Sequence, residues 1–190
     1  MNLSAVSTTQ IAIVIAVAVM VITCIASWFS IRKRRTERLR ARFGPEYARA
    51  VQESGGRRQG EAGLQQREKR VESFAIRTLP PGDRQLHIAS WHKVQAQFVD
   101  DPQSSVTQAD QLLGDVMSAR GYSVSDFEQR SADISVDHPL VVENYRAAHE
   151  IAVRNGQAST EDLRQAMIHY RTLFDELVGE PEMARTKAAS

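Results

Sequence analysis

Residues 11–29 read IAIVIAVAVMVITCIASWF, nineteen consecutive positions without a charge, a glycine or a proline. As a helix such a run rises about 28 Å, close to the roughly 30 Å hydrocarbon layer of a bilayer. A membrane-spanning helix is therefore predicted over residues 11–31, behind a short extracytoplasmic tail of residues 1–10.

A cleaved secretory signal is the competing reading, and it needs a basic start and an apolar centre of about 7 to 15 residues. Residues 1–10 contain no Lys or Arg, and the apolar run is too long. Cys24 follows Val21, Ile22 and Thr23, not the small residues of a lipoprotein cleavage site. Orientation follows from charge, because Lys and Arg near the ends of a span are retained on the cytoplasmic side. Residues 32–42 carry seven basic side chains against the single acid Glu37, and the other flank carries none. This places the N-terminus outside and the rest of the chain in the cytoplasm. Trp28 and Phe29 fall at the inner boundary, where amphipathic rings favour the headgroup layer. Arg32, Lys33, Arg34 and Arg35 form the collar behind them, which snorkels and attracts anionic lipid headgroups.

About 160 residues follow the span, enough for one modest domain. The one cysteine lies within the span, so no intrachain disulfide is possible. The formal net charge of +1 conceals a division: residues 32–79 hold fourteen basic and six acidic side chains, residues 80–179 eight basic and fifteen acidic. The first half is drawn to an anionic surface and the second is repelled by it, which favours a basic partner for the distal half.

Residues 32–79 read as a basic juxtamembrane helical linker. The span continues as helix through residue 42 until Gly44-Pro45 interrupts it, and Pro45 suits the first turn of a new helix. Tyr47, Ala50 and Val51 make a short stripe that ends at Ser54-Gly55-Gly56. Gly55 to Gly60 read as a flexible joint, because no Gly-Lys-Ser or Gly-Lys-Thr follows that would make a phosphate cradle. A further helix is predicted over residues 63–74 from Leu64, Val71 and Phe74. Nucleic acid is not an expected partner, since the basic run lacks interleaved aromatics that could stack on bases.

Pro80-Pro81-Gly82 marks the boundary of the distal domain, residues 80–179. Asp83 is read as the cap of a helix running to about residue 99, with Trp91, Val94 and Phe98 on one face. Asp101-Pro102 starts a helix with Val106, Ala109, Leu112, Leu113, Val116 and Met117 inward, ended by Gly121. Ser125 to Glu128 have capping-box spacing for a short helix from Asp126 to about Ser135. Asp137-His138-Pro139 is read as the start of a helix with Val141, Val142, Tyr145, Ala148, Ile151 and Ala152 inward, closed at Asn155-Gly156. Ser159 to Asp162 open a last helix with the stripe Leu163, Ala166, Met167, Tyr170, Leu173, Phe174 and Leu177. With no two-residue alternation anywhere, the fold class is all-α, and these amphipathic helices are expected to form a small antiparallel bundle. Residues 180–190 lack a stripe and are read as a disordered tail.

Several motifs carry a resemblance. Arg42-Phe43-Gly44-Pro45-Glu46-Tyr47, the run from Phe98 to Pro102, the stretch Asp126 to Arg130 with Ser135 to Pro139, and Glu143-Asn144-Tyr145-Arg146 are similar to an uncharacterised family of small single-pass bacterial membrane proteins. The similarity covers most of residues 33–178. It implies a bacterial inner-membrane setting with a cytoplasmic helical domain, and transfers no activity or site.

Chemistry is sparse in the motifs. His138 beside Asp137, with Glu143 beyond, is the one grouping that suggests a metal-dependent or hydrolytic centre. The Glu143 to His149 spacing of six does not suit two ligands on one helix face, and no His-Glu-x-x-His or paired Cys is present. No cofactor is expected. Tyr122, Phe127 and Tyr145 lie near connecting segments, where aromatics either plug a bundle or anchor a protein partner. The expected function is a membrane-anchored helical binding or scaffolding module. The alternative is a tethered enzyme using Asp137, His138 and Glu143, which requires those three side chains to converge.

Overall fold

The computed structural model describes residues 8–123, 125–154 and 157–179. The tail expected over residues 180–190, the closure at Asn155-Gly156 and residues 1–7 lie outside the described residues. Every regular element among the described residues is helical: α1 (Thr8–Phe43), α2 (Pro45–Glu53), α3 (Arg57–Glu72), α4 (Pro81–Gln97), α5 (Pro102–Ala119), α6 (Phe127–Asp137), α7 (Val142–Ala152) and α8 (Thr160–Gly179). The chain divides into two compact units, Met1–Ala41 and Arg42–Ser190.

In the first unit α1 starts at Thr8, inside the segment expected to be a tail. It is apolar and long enough to cross a membrane: a stretch within Ile15–Phe43 has mean hydropathy 2.0, and none of it is buried. The hydroxyl of Thr23 is satisfied locally, because its Oγ1 donates to the carbonyls of Val19 and Met20 at 3.0 and 2.8 Å. Such self-sufficiency is what a hydrocarbon environment requires.

The second unit begins at Arg42, so α2 and α3, expected in a linker, are part of it. They form a helical hairpin. Gly55 reverses the chain with φ +70°. Gly60 lets the helices approach closely, since a Cβ there would stand 2.8 Å from the Val51 Cα. The expected flexible joint is thus a tight turn, and α3 starts six residues earlier than predicted, at Arg57. Glycine 60 reads as a loosening residue in sequence; its role is contact.

The bundle proper consists of α4 to α8. Helix α8 packs against α7 and α5, and α5 packs against α4. Trp91, Leu113, Val116, Tyr145 and Tyr170 lie in one buried core. Trp91 stacks on Phe174 with ring centroids 4.7 Å apart. The predicted stripes of α5 and α8 are all buried. Caps explain their starts: Asp101 accepts from the Ser104 amide at 3.0 Å, and Ser159 and Asp162 exchange hydrogen bonds reciprocally. Arg120 at the end of α5 donates to the Leu177 carbonyl at 2.9 Å, satisfying the last turn of α8.

Three starts differ from the sequence reading. Helix α4 begins at Pro81 with Pro80 as its cap residue, because proline's fixed φ suits the first turn better than Asp83 suits a cap. The cap of α6 is Asp126, which accepts from the Gln129 amide at 2.8 Å, so Ser125 and Glu128 make no capping box. Asp137-His138-Pro139 ends α6 instead of starting α7. His138 leaves the helical conformation (φ −127°, ψ 55°), as a residue before proline tends to do, and a turn over residues 139–141 delays α7 to Val142.

Arginine–carboxylate pairs join the hairpin to the bundle. Glu46 of α2 accepts two hydrogen bonds from the Arg146 guanidinium of α7. Arg67 stands 3.5 Å from the same carboxylate. Arg70 of α3 binds Asp133 of α6 at 2.7 Å, and Arg42 lies 3.3 Å from Glu68 and 3.9 Å from Asp137. Some acidity of the distal half therefore answers basic residues of the proximal half.

Candidate functional site

The residues expected at a membrane boundary are all exposed on α1. Trp28 and Phe29 meet edge to face with centroids 5.1 Å apart, and the Arg32 guanidinium lies 5.0 Å from the Trp28 ring centre. Such a cation over an indole face contributes about 0.5–1 kcal/mol at an exposed site. Lys33 pairs with Glu37 at 3.9 Å, one turn on; Arg34 and Arg35 project beside them. The 3.6-residue repeat spreads this collar around the helix.

Asp137, His138 and Glu143 face different partners. Asp137 accepts from the Tyr122 hydroxyl at 2.9 Å. His138 is buried with Nδ1 3.3 Å from Glu176 Oε1. Glu143 is exposed in the first turn of α7. Among the described residues no group of three His, Cys, Asp or Glu is placed to hold a metal ion. The arrangement required by the enzyme reading is not formed.

Tyr122 and Tyr145 are buried and fill the bundle, so neither offers a surface to a partner. Phe127 is half-buried, its ring 3.5 Å from and nearly parallel to His149, and 4.9 Å from Tyr145. These aromatics plug the junction of α6, α7 and α8.

Around that plug lies a polar constellation that sequence reasoning missed. Asp110 of α5 accepts from the Tyr170 hydroxyl of α8 at 3.1 Å. Arg130 of α6 approaches the same carboxylate at 3.6 Å, and His149 of α7 at 3.9 Å. Gly114, one turn beyond Asp110, leaves room for Arg130, whose Nη1 would stand 2.8 Å from a Cβ there. Burial pushes the Tyr145 and Tyr170 phenols upward, and the Asp110 charge raises both further. Both stay protonated at neutral pH, and Tyr170 is the one that donates to Asp110. Burial also lowers His149, against the opposing pull of Asp110, so its imidazole is held neutral. One carboxylate on α5 thus gathers side chains of α6, α7 and α8 around it. The signal was present: Asp110 interrupts the apolar face of α5 between Val106 and Leu113.

A second feature lies between α4 and α8, which touch over only a short length. Two adjoining cavities run along this seam, of about 200 Å³ and about 230 Å³. Phe98, Met167 and Ile168 line the first, and Ile88, Trp91, Phe174 and Val178 the second. Gln95 and Arg171 border both. Of the face predicted for α4, Trp91 and Val94 are buried, whereas Phe98 is only half-buried at its end.

The chain matches no known protein family, no curated protein and no solved structure. The resemblance of its motifs to small bacterial membrane proteins therefore brings nothing beyond the motifs themselves.

Proposed function

We propose that the protein is a single-pass anchor in a bacterial inner membrane, with its N-terminus outside and its helical unit in the cytoplasm as a binding or scaffolding module. The α4–α8 seam is the observation that carries the module reading: although Trp91 and Phe174 are buried against each other, Ile88, Phe98 and Ile168 stay partly exposed beside two cavities on a unit otherwise well packed. The anchor is supported by the fully exposed apolar length of α1. Its orientation is supported by the collar at residues 32–42, which contributes roughly 1 kcal/mol per basic residue toward anionic lipid. The bacterial setting is supported by motif resemblance alone.

Proximity labelling in the native host tests the module reading. A labelling enzyme fused to the helical unit is expected to mark a discrete set of proteins that a fusion to α1 alone does not mark. Identical sets from the two fusions would contradict it.

A further inference from the structure

The α4–α8 seam has a periodicity. Trp91 on α4 and Phe98, which directly follows its last turn, are seven residues apart, and so are Met167 and Phe174 on α8. Seven residues are about two helical turns, or about 10.5 Å along a helix; Phe98 and Met167 line one cavity, and Trp91 and Phe174 the other. A third helix lying alongside presents side chains at i and i+7 on one face with the same separation, as helices docked in grooves do.

Taken one at a time, the cavities are the size of a side chain. An apolar cavity of about 150 Å³ holds one benzene, whereas drug-sized ligands occupy about 300–1,000 Å³. Cavities of about 200 Å³ and about 230 Å³ each suit one large apolar side chain.

Charge specifies the flanks. Of the eight basic residues in residues 80–179, Arg84, Arg164 and Arg171 line the two cavities, against Asp175 alone of fifteen acids. In an acidic domain this is a local reversal of sign. Arg171 is held by Asp175 at 3.3 Å and Arg164 by Glu161 at 2.7 Å, both in exposed pairs that a partner's carboxylate can replace at little cost. The Trp91 indole N–H is buried without an acceptor on the wall of the same seam.

We propose that the α4–α8 groove receives an acidic amphipathic helix of a partner protein, seating two large apolar side chains seven residues apart and directing carboxylates to Arg84, Arg164 and Arg171. This rests on the module reading and reverses the expectation, drawn from net charge, of a basic partner. Neutral apolar contact gives affinity, and the arginine rim selects against basic helices.

The test is photo-crosslinking of the full chain in native membranes, with benzoylphenylalanine at Ile168, which is 45% exposed beside the first cavity, and at exposed Gln111 on α5 as control. The expected result is a protein adduct at position 168 but not at 111, mapping to an acidic helix with large apolar residues at i and i+7. Arg84→Glu with Arg171→Glu should lower its yield at least tenfold, and Arg84→Lys with Arg171→Lys should retain it. An adduct with lipid, with a second copy of this chain or with a basic helix overturns the proposal, as does no adduct at 168 or a yield indifferent to the glutamates. If proximity labelling still finds specific neighbours in those cases, the module reading stands and only the groove assignment fails.

Discussion

Glu46 provides a sharp energetic test of how the hairpin is held. Its side chain is 1% exposed, bonded to Arg146 at 8% and close to Arg67 at 22%. Glu46→Ala leaves the Arg146 guanidinium buried without its carboxylate, and removes the anion beside the buried Nη1 of Arg67 as well. Removing one partner of a buried ion pair costs about 3–5 kcal/mol, because the other charge stays desolvated. Replacing both by apolar residues of similar size is close to neutral. With a urea dependence of about 2 kcal/mol per molar, within the usual range for small domains, Glu46→Ala should lower the unfolding midpoint by about 2 M. The assay is urea unfolding of the full chain in mild detergent, followed by Trp91 fluorescence in a Trp28→Phe background. Glu46→Leu with Arg146→Leu should recover about half or more of the loss, with what remains falling on Arg67. A single substitution costing under about 1 kcal/mol, or a double one as costly as the single, refutes the argument that a buried charge pair fastens α2 to α7.

Other consequences are measurable in the same way. Gly121→Ala should cost at least about 2 kcal/mol, since φ is +94° and the added Cβ would lie 2.5 Å from the Ala75 carbonyl oxygen; Gly55→Ala, at φ +70° in open space, should cost only about 1 kcal/mol. Asp110→Ala should cost about 1–3 kcal/mol by stranding the Tyr170 hydroxyl and Arg130, read as a lower thermal midpoint. His149 is held below its ordinary 6.5 in the folded state, so its contribution is present above that pH and is lost as pH falls from 6.5 toward the depressed value. His149→Gln should flatten the stability profile between pH 7 and pH 5, and an unchanged slope would argue against burial of the imidazole. Tyr145 and Tyr170 have raised values, so their contribution is present below pH 10 and lost above it; ultraviolet titration should show both ionising only as the fold opens.

What could be read in the chain beforehand was local. Caps and stripes announced α5 and α8, because Asp101-Pro102, Ser159 to Asp162 and the 3.6-residue spacing of apolar residues act within a few turns. The proline at 139 is ambiguous for the same reason: it suits the residue after one helix as well as the start of the next, and α6 runs through the buried Val136 to Asp137 before it. Long-range features were hidden. Glu46 and Arg146 are a hundred residues apart, and nothing in either neighbourhood marks them as partners. Asp110 is hidden because an acid inside an apolar stripe reads as a solvated exception until side chains of three other helices are seen converging on it from outside α5. The α4–α8 seam escaped for the opposite reason, since a stripe reports which face is apolar and not whether a neighbour covers it.

The central claim is that α1 crosses a membrane with the helical unit on the inside. Impermeant maleimide labelling of intact cells tests it directly, using Ser4→Cys and Gln111→Cys in a Cys24→Ser background. The account predicts that the cysteine at position 4 is labelled from outside and the one at position 111 only after the inner membrane is permeabilised. Labelling of position 111 in intact cells, or protection of position 4, would contradict it.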